Sequence, residues 1–115
     1  MAVERTEHED PKVVVFHMTG LLTDTRDCYD LLEDIRDQIK LGYTGFVFNL
    51  ENVGRVTSCG IGLLAACYTS VKNANGKLCF AAAPEIVRSV VTVVGLGDVF
   101  VMYPTEEEAI RAAGE

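Results

Sequence analysis

The hydrophobic positions of this chain follow two periodicities that alternate along it. Continuous apolar runs rich in β-branched and aromatic residues predict buried strands over residues 12–18, 46–50, 77–82 and 98–103. The run Phe46–Leu50 is apolar nearly throughout, which is typical of a strand whose sheet is covered on both faces. A weaker strand is predicted over Val3–His8, so the first eleven residues form either an edge strand or a disordered segment.

Apolar residues spaced three and four apart predict four helices between and after these strands. Their starts and stops are marked by capping residues, glycines and one proline. The predicted helices run from a cap on Thr23 or Asp24 to Gly42, from Ser58 to about Ala74, from Pro84 to Val94, and onward from a capping box of Thr105 and Glu108. The resulting order, β-β-α-β-α-β-α-β-α, predicts a single α/β domain with a mixed sheet over residues 1–115.

Charge and hydropathy narrow the classes of partner. The formal net charge is −7, and the ten basic residues are scattered, which argues against a nucleic-acid-binding surface. No apolar run approaches the roughly 18 to 20 residues that span a bilayer, and the N-terminal segment is too charged for a signal peptide. We therefore expect a cytoplasmic protein that acts on neither nucleic acid nor membrane.

The cysteines and histidines predict neither a metal site nor a catalytic centre. Cys28, Cys59, Cys67 and Cys79 lie far apart, with no spacing typical of zinc ligands or of a disulfide framework. His17 lies near a strand end, where a surface role is commoner than ligation. No nucleophile is accompanied by a base, so we expect no enzymatic activity, no metal and no cofactor.

The segment Arg55–Tyr68, RVTSCGIGLLAACY, places short polar residues directly before an apolar helix. One interpretation makes Ser58 the N-cap, whose hydroxyl accepts a backbone N–H. Gly60 and Gly62, however, cost up to about 1 kcal/mol each in a helix, and they would leave the backbone bare beside Ser58. A helix N-terminus would also stabilise a phosphate on Ser58, and that charge would repel a partner docked on Gly60, Ile61 and Leu64.

These residues carry a resemblance to a known family. The stretch NLENVGRVTSCGIGLLAACY is similar to the signature of the STAS domain family, the bacterial anti-sigma factor antagonists, in which a D-S-[ST]-G-[LIV] loop joins a strand to an apolar helix. The segments MTGLLT, FVFNLENV, NANGKLCF and VVGLGDVF follow the family in the same order. The resemblance covers about Lys12 to Ala112.

The resemblance implies a sheet flanked by helices on one side and a role in partner switching. The unmodified domain would bind an anti-sigma factor that is also a serine kinase, and a PP2C-type phosphatase would reverse the phosphorylation. Ser58 matches the phosphoacceptor, and Gly60 and Ile61 match the residues that follow it. The resemblance also leaves open whether the domain forms a homodimer or a larger STAS assembly. The predicted partner-binding residues are Thr23, Asp24, Thr57, Ser58, Cys59, Gly60, Ile61 and Leu64.

The loop departs from the family pattern at three positions. Thr57 and Thr23 stand where the family usually has acidic residues, and Cys59 stands for the Ser or Thr that follows the phosphoacceptor. Loss of two carboxylates predicts slower phosphorylation of Ser58, or transfer to Thr57 instead. A redox role for Cys59 is a further alternative, because a thiol in the first turn of a helix lies in the partial positive charge of the N-terminus.

Two alternative functions remain open at this point. The divergent loop resembles that of stressosome-type STAS proteins, which form large scaffolds under a different class of kinase. A STAS domain that binds a small molecule is the other alternative.

Overall fold

The computed structural model of the protein describes residues 2–9, 12–23 and 26–115, apart from the side chains of residues 26–28. The predicted fold class and order of elements are confirmed. The elements are β1 (Ala2–Glu9), β2 (Lys12–Leu22), α1 (Arg26–Lys40), β3 (Gly45–Val56), α2 (Ser58–Asn73), β4 (Lys77–Ala81), α3 (Glu85–Val93), β5 (Met102–Tyr103) and α4 (Glu106–Ala113). Asp24, one of the two predicted caps of α1 and a predicted partner-binding residue, lies outside the described residues.

The strands form one mixed sheet in the order β1-β2-β3-β4-β5. β1 is antiparallel to β2, and every other neighbouring pair is parallel. Each parallel connection passes through a helix, so the strands of the parallel part end at the same edge of the sheet. That edge also receives the N-termini of α1 and α2, because both helices directly follow parallel strands.

The larger part of the core lies under α1, α2 and α3. Phe16, Phe48 and Phe80 are fully buried on three adjacent strands and meet edge to face, with ring centroids 5.6 and 5.7 Å apart. Phe80 continues this row to Phe100, at 4.7 Å. Leu31 and Ile35 of α1 are buried in the same core, as their helical spacing predicts.

The expectation that all helices lie on one side of the sheet is wrong, because α4 packs on the opposite face. Val13, Val15 and Val47 point away from the aromatic row and form a second core with Ala109 and Ala113 of α4. These side chains are small, and this lets the helix approach the strands closely. The uninterrupted apolar pattern of Phe46–Leu50 had indicated this arrangement, since both faces of β3 are buried.

Three strands differ by several residues from their predicted bounds, and the first of them, β2, continues past residue 18 to Leu22. β5 is confined to Met102–Tyr103, because residues 97–100 form turns in which the carbonyl of Leu96 accepts the amides of Val99 and Phe100. β3 is longer than predicted and continues past Asn49, the last residue paired with β4, to Val56. Over this extension β3 pairs with β2 through two register shifts. The paired extension carries the chain to the start of α2.

Candidate functional site

The ends of β2 and β3 place the predicted switch residues at the N-terminus of α2. The amide of Thr57 donates a hydrogen bond of 3.0 Å to the carbonyl of Leu22, which closes the paired extension. α2 begins at the next residue, Ser58. The segment is thus held by long-range pairing before the helix starts.

Thr57 is the N-cap of α2, in place of Ser58. Its backbone is extended, and its hydroxyl accepts a hydrogen bond of 3.1 Å from the amide of Gly60. The same hydroxyl donates a hydrogen bond of 2.8 Å to the hydroxyl of Thr23. Both Thr57 and Thr23 are half-buried. The interpretation in which Ser58 caps the helix is therefore wrong by one residue, and the Ser58 side chain is not used for capping.

Ser58 and Cys59 are the exposed residues of the first turn. Among the described residues, none accepts a hydrogen bond from the Ser58 hydroxyl or from the amides of Ser58 and Cys59. The first turn of α2 also holds no acidic residue, so no carboxylate of the helix offsets the partial positive charge at its N-terminus. An anion attached to Ser58 would therefore meet a favourable local field.

Three of the predicted partner-binding residues face the core instead of solvent. Ile61 is 2% exposed and Leu64 is fully buried. Gly60 is also buried, and a Cβ added there would lie 2.6 Å from the carbonyl carbon of Leu22. The expectation of a bare surface at Gly60, Ile61 and Leu64 is wrong, because the glycine allows α2 to pass close to the backbone of β2.

Gly62 has the exposed position that the sequence analysis assigned to Gly60. A Cβ added at Gly62 would meet nothing within 4 Å. The two glycines of the first turns therefore serve different purposes, one for close packing and one at the surface. Gly60 lies two residues and Gly62 four residues after Ser58, so both lie within about one helical turn of it.

Two exposed apolar side chains at the same edge of the domain escaped the sequence analysis. Leu21, opposite Arg55 in the paired extension, is 44% exposed. Tyr29, in the first turn of α1, is 63% exposed. The helical pattern of α1 could have indicated Tyr29, since it falls off the stripe of Leu31 and Ile35. We define the α2 N-terminal surface as Leu21, Thr23, Tyr29, Thr57, Ser58, Cys59 and Gly62.

A second polar cluster lies on the α4 face of the sheet. Nε2 of His17 is 2.5 Å from a carboxylate oxygen of Glu106, and the Asn49 side-chain amide donates a hydrogen bond of 3.0 Å to the same oxygen. The side-chain oxygen of Asn49 in turn accepts the amide of Glu51. His17 is thus a half-buried residue that joins the sheet to the start of α4, where the sequence indicated a surface role.

The cysteines fall into two environments. Of the three cysteines whose side chains the structure describes, Cys59 is exposed, whereas Cys67 and Cys79 are buried. Burial raises the pKa of the Cys79 thiol above its ordinary value of 9.0, and the charges of Lys77 and Lys72 oppose this shift. In the described part of the chain, no group of histidine, cysteine and acidic side chains could hold a metal ion. No helix in that part is long and apolar enough to cross a membrane.

Comparison with known families decides how this arrangement is to be classified. A family model, the STAS domain, matches residues 3–109. The chain belongs to the STAS domain family. No match is found among curated proteins.

This STAS domain is similar to solved structures over nearly its whole length. Against the anti-sigma factor antagonist SpoIIAA in its unphosphorylated form, the identity is 28%, the TM-score is 0.80, and 99% of this chain and 98% of that chain are covered. Against the phosphorylated form of the Bacillus cell fate determinant SpoIIAA, the identity is 25% and the TM-score is 0.73, with 96% of this chain and 98% of that chain covered. An anti-sigma factor antagonist from Mycobacterium paratuberculosis shares the fold. Its identity is 24% and its TM-score is 0.80, with 99% of this chain and 94% of that chain covered.

In this STAS domain the two threonines at the departures from the family pattern contact each other. Thr57 and Thr23, which stand where the resemblance leads us to expect acidic residues, share the 2.8 Å hydrogen bond. A pair of carboxylates at this distance would repel each other. The hydroxyl pair therefore gives the loop an internal support that carries no charge.

Proposed function

We propose that this protein is an anti-sigma factor antagonist that regulates transcription by partner switching. In its unmodified form it binds an anti-sigma factor that is also a serine kinase, through the α2 N-terminal surface. Phosphorylation of Ser58 releases it, and a PP2C-type phosphatase restores the binding form. The protein thereby acts as a regulator and not as an enzyme.

The difference between two adjacent hydroxyl groups carries this proposal. The Thr57 hydroxyl both donates and accepts a hydrogen bond and is half-buried, so a kinase would have to break the helix cap to reach it. Ser58 is exposed one residue later, at a helix N-terminus whose first turn has no carboxylate. The similarity of this chain to SpoIIAA, whose structure is known in unphosphorylated and phosphorylated forms, supports regulation by phosphorylation here.

The charge of the modification explains the release. A phosphoserine adds a charge of about −1.5 to −2 at neutral pH, where the N-terminus of α2 stabilises it without unfolding the domain. The same charge lies at the edge of the domain where Leu21 and Tyr29 are exposed and Gly62 leaves open space. Desolvating a dianion against a partner that packs on this surface is unfavourable. Stable binding of the partner and the phosphorylated state of Ser58 are therefore mutually exclusive.

The test is phosphorylation by the kinase of the same organism with ATP, followed by mass spectrometry. We expect one phosphate on Ser58, with none on a Ser58→Ala variant and unchanged transfer to a Cys59→Ser variant. Ser58→Ala should bind the anti-sigma factor constitutively, and Ser58→Asp should bind it poorly. A phosphate on Thr57, or tight binding by Ser58→Asp, would refute the assignment and favour the stressosome-type scaffold.

A further inference from the structure

In the part of the chain that the structure describes, no strand pairs with the outer edge of β1. β1 is the first strand of the sheet and has β2 as its neighbour, and all eight of its residues are exposed. An exposed strand edge presents backbone N–H and C=O groups that another strand can pair with. The side chains along β1 decide which strand can fit.

We propose that the outer edge of β1 pairs with β1 of a second copy of this chain, in an antiparallel arrangement centred on Thr6. A two-fold axis perpendicular to the sheet places the central residue directly opposite its own copy. Centring on Arg5 or on Glu7 would therefore oppose like charges at the axis, which is destabilising. Thr6 is the uncharged residue between them, and Thr–Thr pairs are favourable across strands.

The register centred on Thr6 also makes the flanking charges complementary. Arg5 of each copy then lies opposite Glu7 of the other, and Glu4 lies opposite His8. Four pairs of matched residues follow from one axis, because each pair occurs twice. A register centred one residue to either side loses this match and places either the two Arg5 side chains or the two Glu7 side chains together.

The faces of the sheet allow these pairs to form. Arg5 and Glu7 are paired with Phe16 and Val14 of β2, so both point to the face that carries α1. Arg5 is already held on that face, because its guanidinium contacts Asp34 at 2.5 Å and Glu7 at 3.5 Å. This fixed side chain loses less conformational entropy when it meets a third carboxylate, that of Glu7 in the second copy, than a mobile arginine would.

The dimer would join two five-stranded sheets into one continuous sheet. The axis reverses the strand direction, so the α2 N-terminal surfaces of the two copies lie at opposite ends and both stay open. This pairing is consequently independent of the partner switch, and either proposal can fail without the other.

Sedimentation equilibrium from about 1 µM to about 1 mM tests the association, a range chosen for a weak edge-to-edge contact. We expect a reversible dimer, and Glu7→Arg should raise its dissociation constant at least about tenfold by opposing two cations. Glu33→Arg is the control, because it makes the same charge change at an exposed position of α1. A chain that stays monomeric throughout, or equal effects of the two variants, would overturn the proposal.

Disulfide trapping tests the register. In a Cys28→Ala and Cys59→Ser background, Thr6→Cys should form a cross-linked dimer under mild oxidation, since residues directly opposite have Cβ atoms about 5 Å apart. His8→Cys lies on the same face of the same strand but about 13 Å from its copy, so it should not cross-link. Cross-linking of His8→Cys as fast as Thr6→Cys would exclude this register. Circular dichroism confirms that each variant is folded.

Discussion

The hydroxyl of Thr57 donates a hydrogen bond to the hydroxyl of Thr23 across 2.8 Å, which joins the start of α2 to the end of β2. The same Thr57 oxygen accepts the amide of Gly60. A single side chain thus caps the helix and attaches it to the sheet. The adjacent Ser58 takes no part in either contact among the described residues, so the structural role and the proposed regulatory role fall on different residues.

This division predicts unequal costs for two neighbouring substitutions. Thr57→Ala removes the cap and should lower the free energy of unfolding by about 1 kcal/mol. Ser58→Ala should change it by less than about 0.5 kcal/mol, because an exposed side chain without a partner is lost. Urea unfolding monitored by circular dichroism measures both values. Thr57→Ser, which keeps the hydroxyl, is the matched control, and a larger loss for Ser58→Ala would contradict the assignment of the cap.

The two glycines of α2 predict opposite changes on substitution by alanine. Gly62→Ala should raise the free energy of unfolding by about 0.5 to 1 kcal/mol, because alanine favours the helix and its Cβ meets nothing within 4 Å. Gly60→Ala should lower it by about 1 to 3 kcal/mol, because its Cβ would overlap the carbonyl group of Leu22. The same unfolding experiment compares them. Similar shifts in one direction would show that the packing of α2 on β2 is misplaced.

Gly62 is the position at which to obstruct a partner without disturbing the core. Gly62→Arg places a long cationic side chain on the α2 N-terminal surface and should weaken binding to the anti-sigma factor at least about tenfold. Asn73→Arg makes a similar change at the exposed far end of the same helix and should leave the affinity unchanged. Isothermal titration calorimetry gives both affinities. If both variants bind like the unmodified protein, the docking surface lies elsewhere.

Cys79 predicts a loss of stability at alkaline pH. Its pKa is raised by burial, so the folded protein keeps the thiol proton at a pH where the unfolded chain has released it. The stabilisation is fully present below the ordinary value of 9.0 and is lost as the pH rises above it. Urea titrations between about pH 8 and pH 10.5 should show this decline, and Cys79→Ala should make it shallower. An unchanged slope in that variant would assign the decline to other groups.

Much of the fold could be predicted because its signals are local. The ends of α1 and α3 coincide with glycines of positive φ, Gly42 and Gly95, and α4 begins at the predicted Thr105 cap. The N-cap of α2 was misplaced because Thr57 and Ser58 are both good caps, and pairing with Leu22, distant in sequence, chooses between them. The burial of Gly60 has the same non-local cause.

Two further errors arose where the pattern itself was ambiguous. Val99 and Val101 fit the strand pattern predicted for residues 98–103, yet both are exposed, and the chain forms turns before the short β5. The family resemblance implies helices on one side of the sheet, whereas the apolar pattern of β3 indicates that both faces are covered, and the structure agrees with the pattern. The phosphoacceptor position came from the motif, and its exposure is a property that only the structure provides.

The extension of β3 beyond Asn49 allows the segment that leads to Ser58 to move independently of the central sheet. Past that residue β3 has a strand partner along one edge only in the described part of the chain, and its register with β2 shifts twice. Such a ribbon bends more readily than a strand paired on both edges, and its amides should exchange faster than those of the central sheet. The aromatic row of the core lies below the point where β4 ends. A charge added at the tip can therefore change the local geometry of the α2 N-terminal surface, while the central sheet and its aromatic core keep their shape.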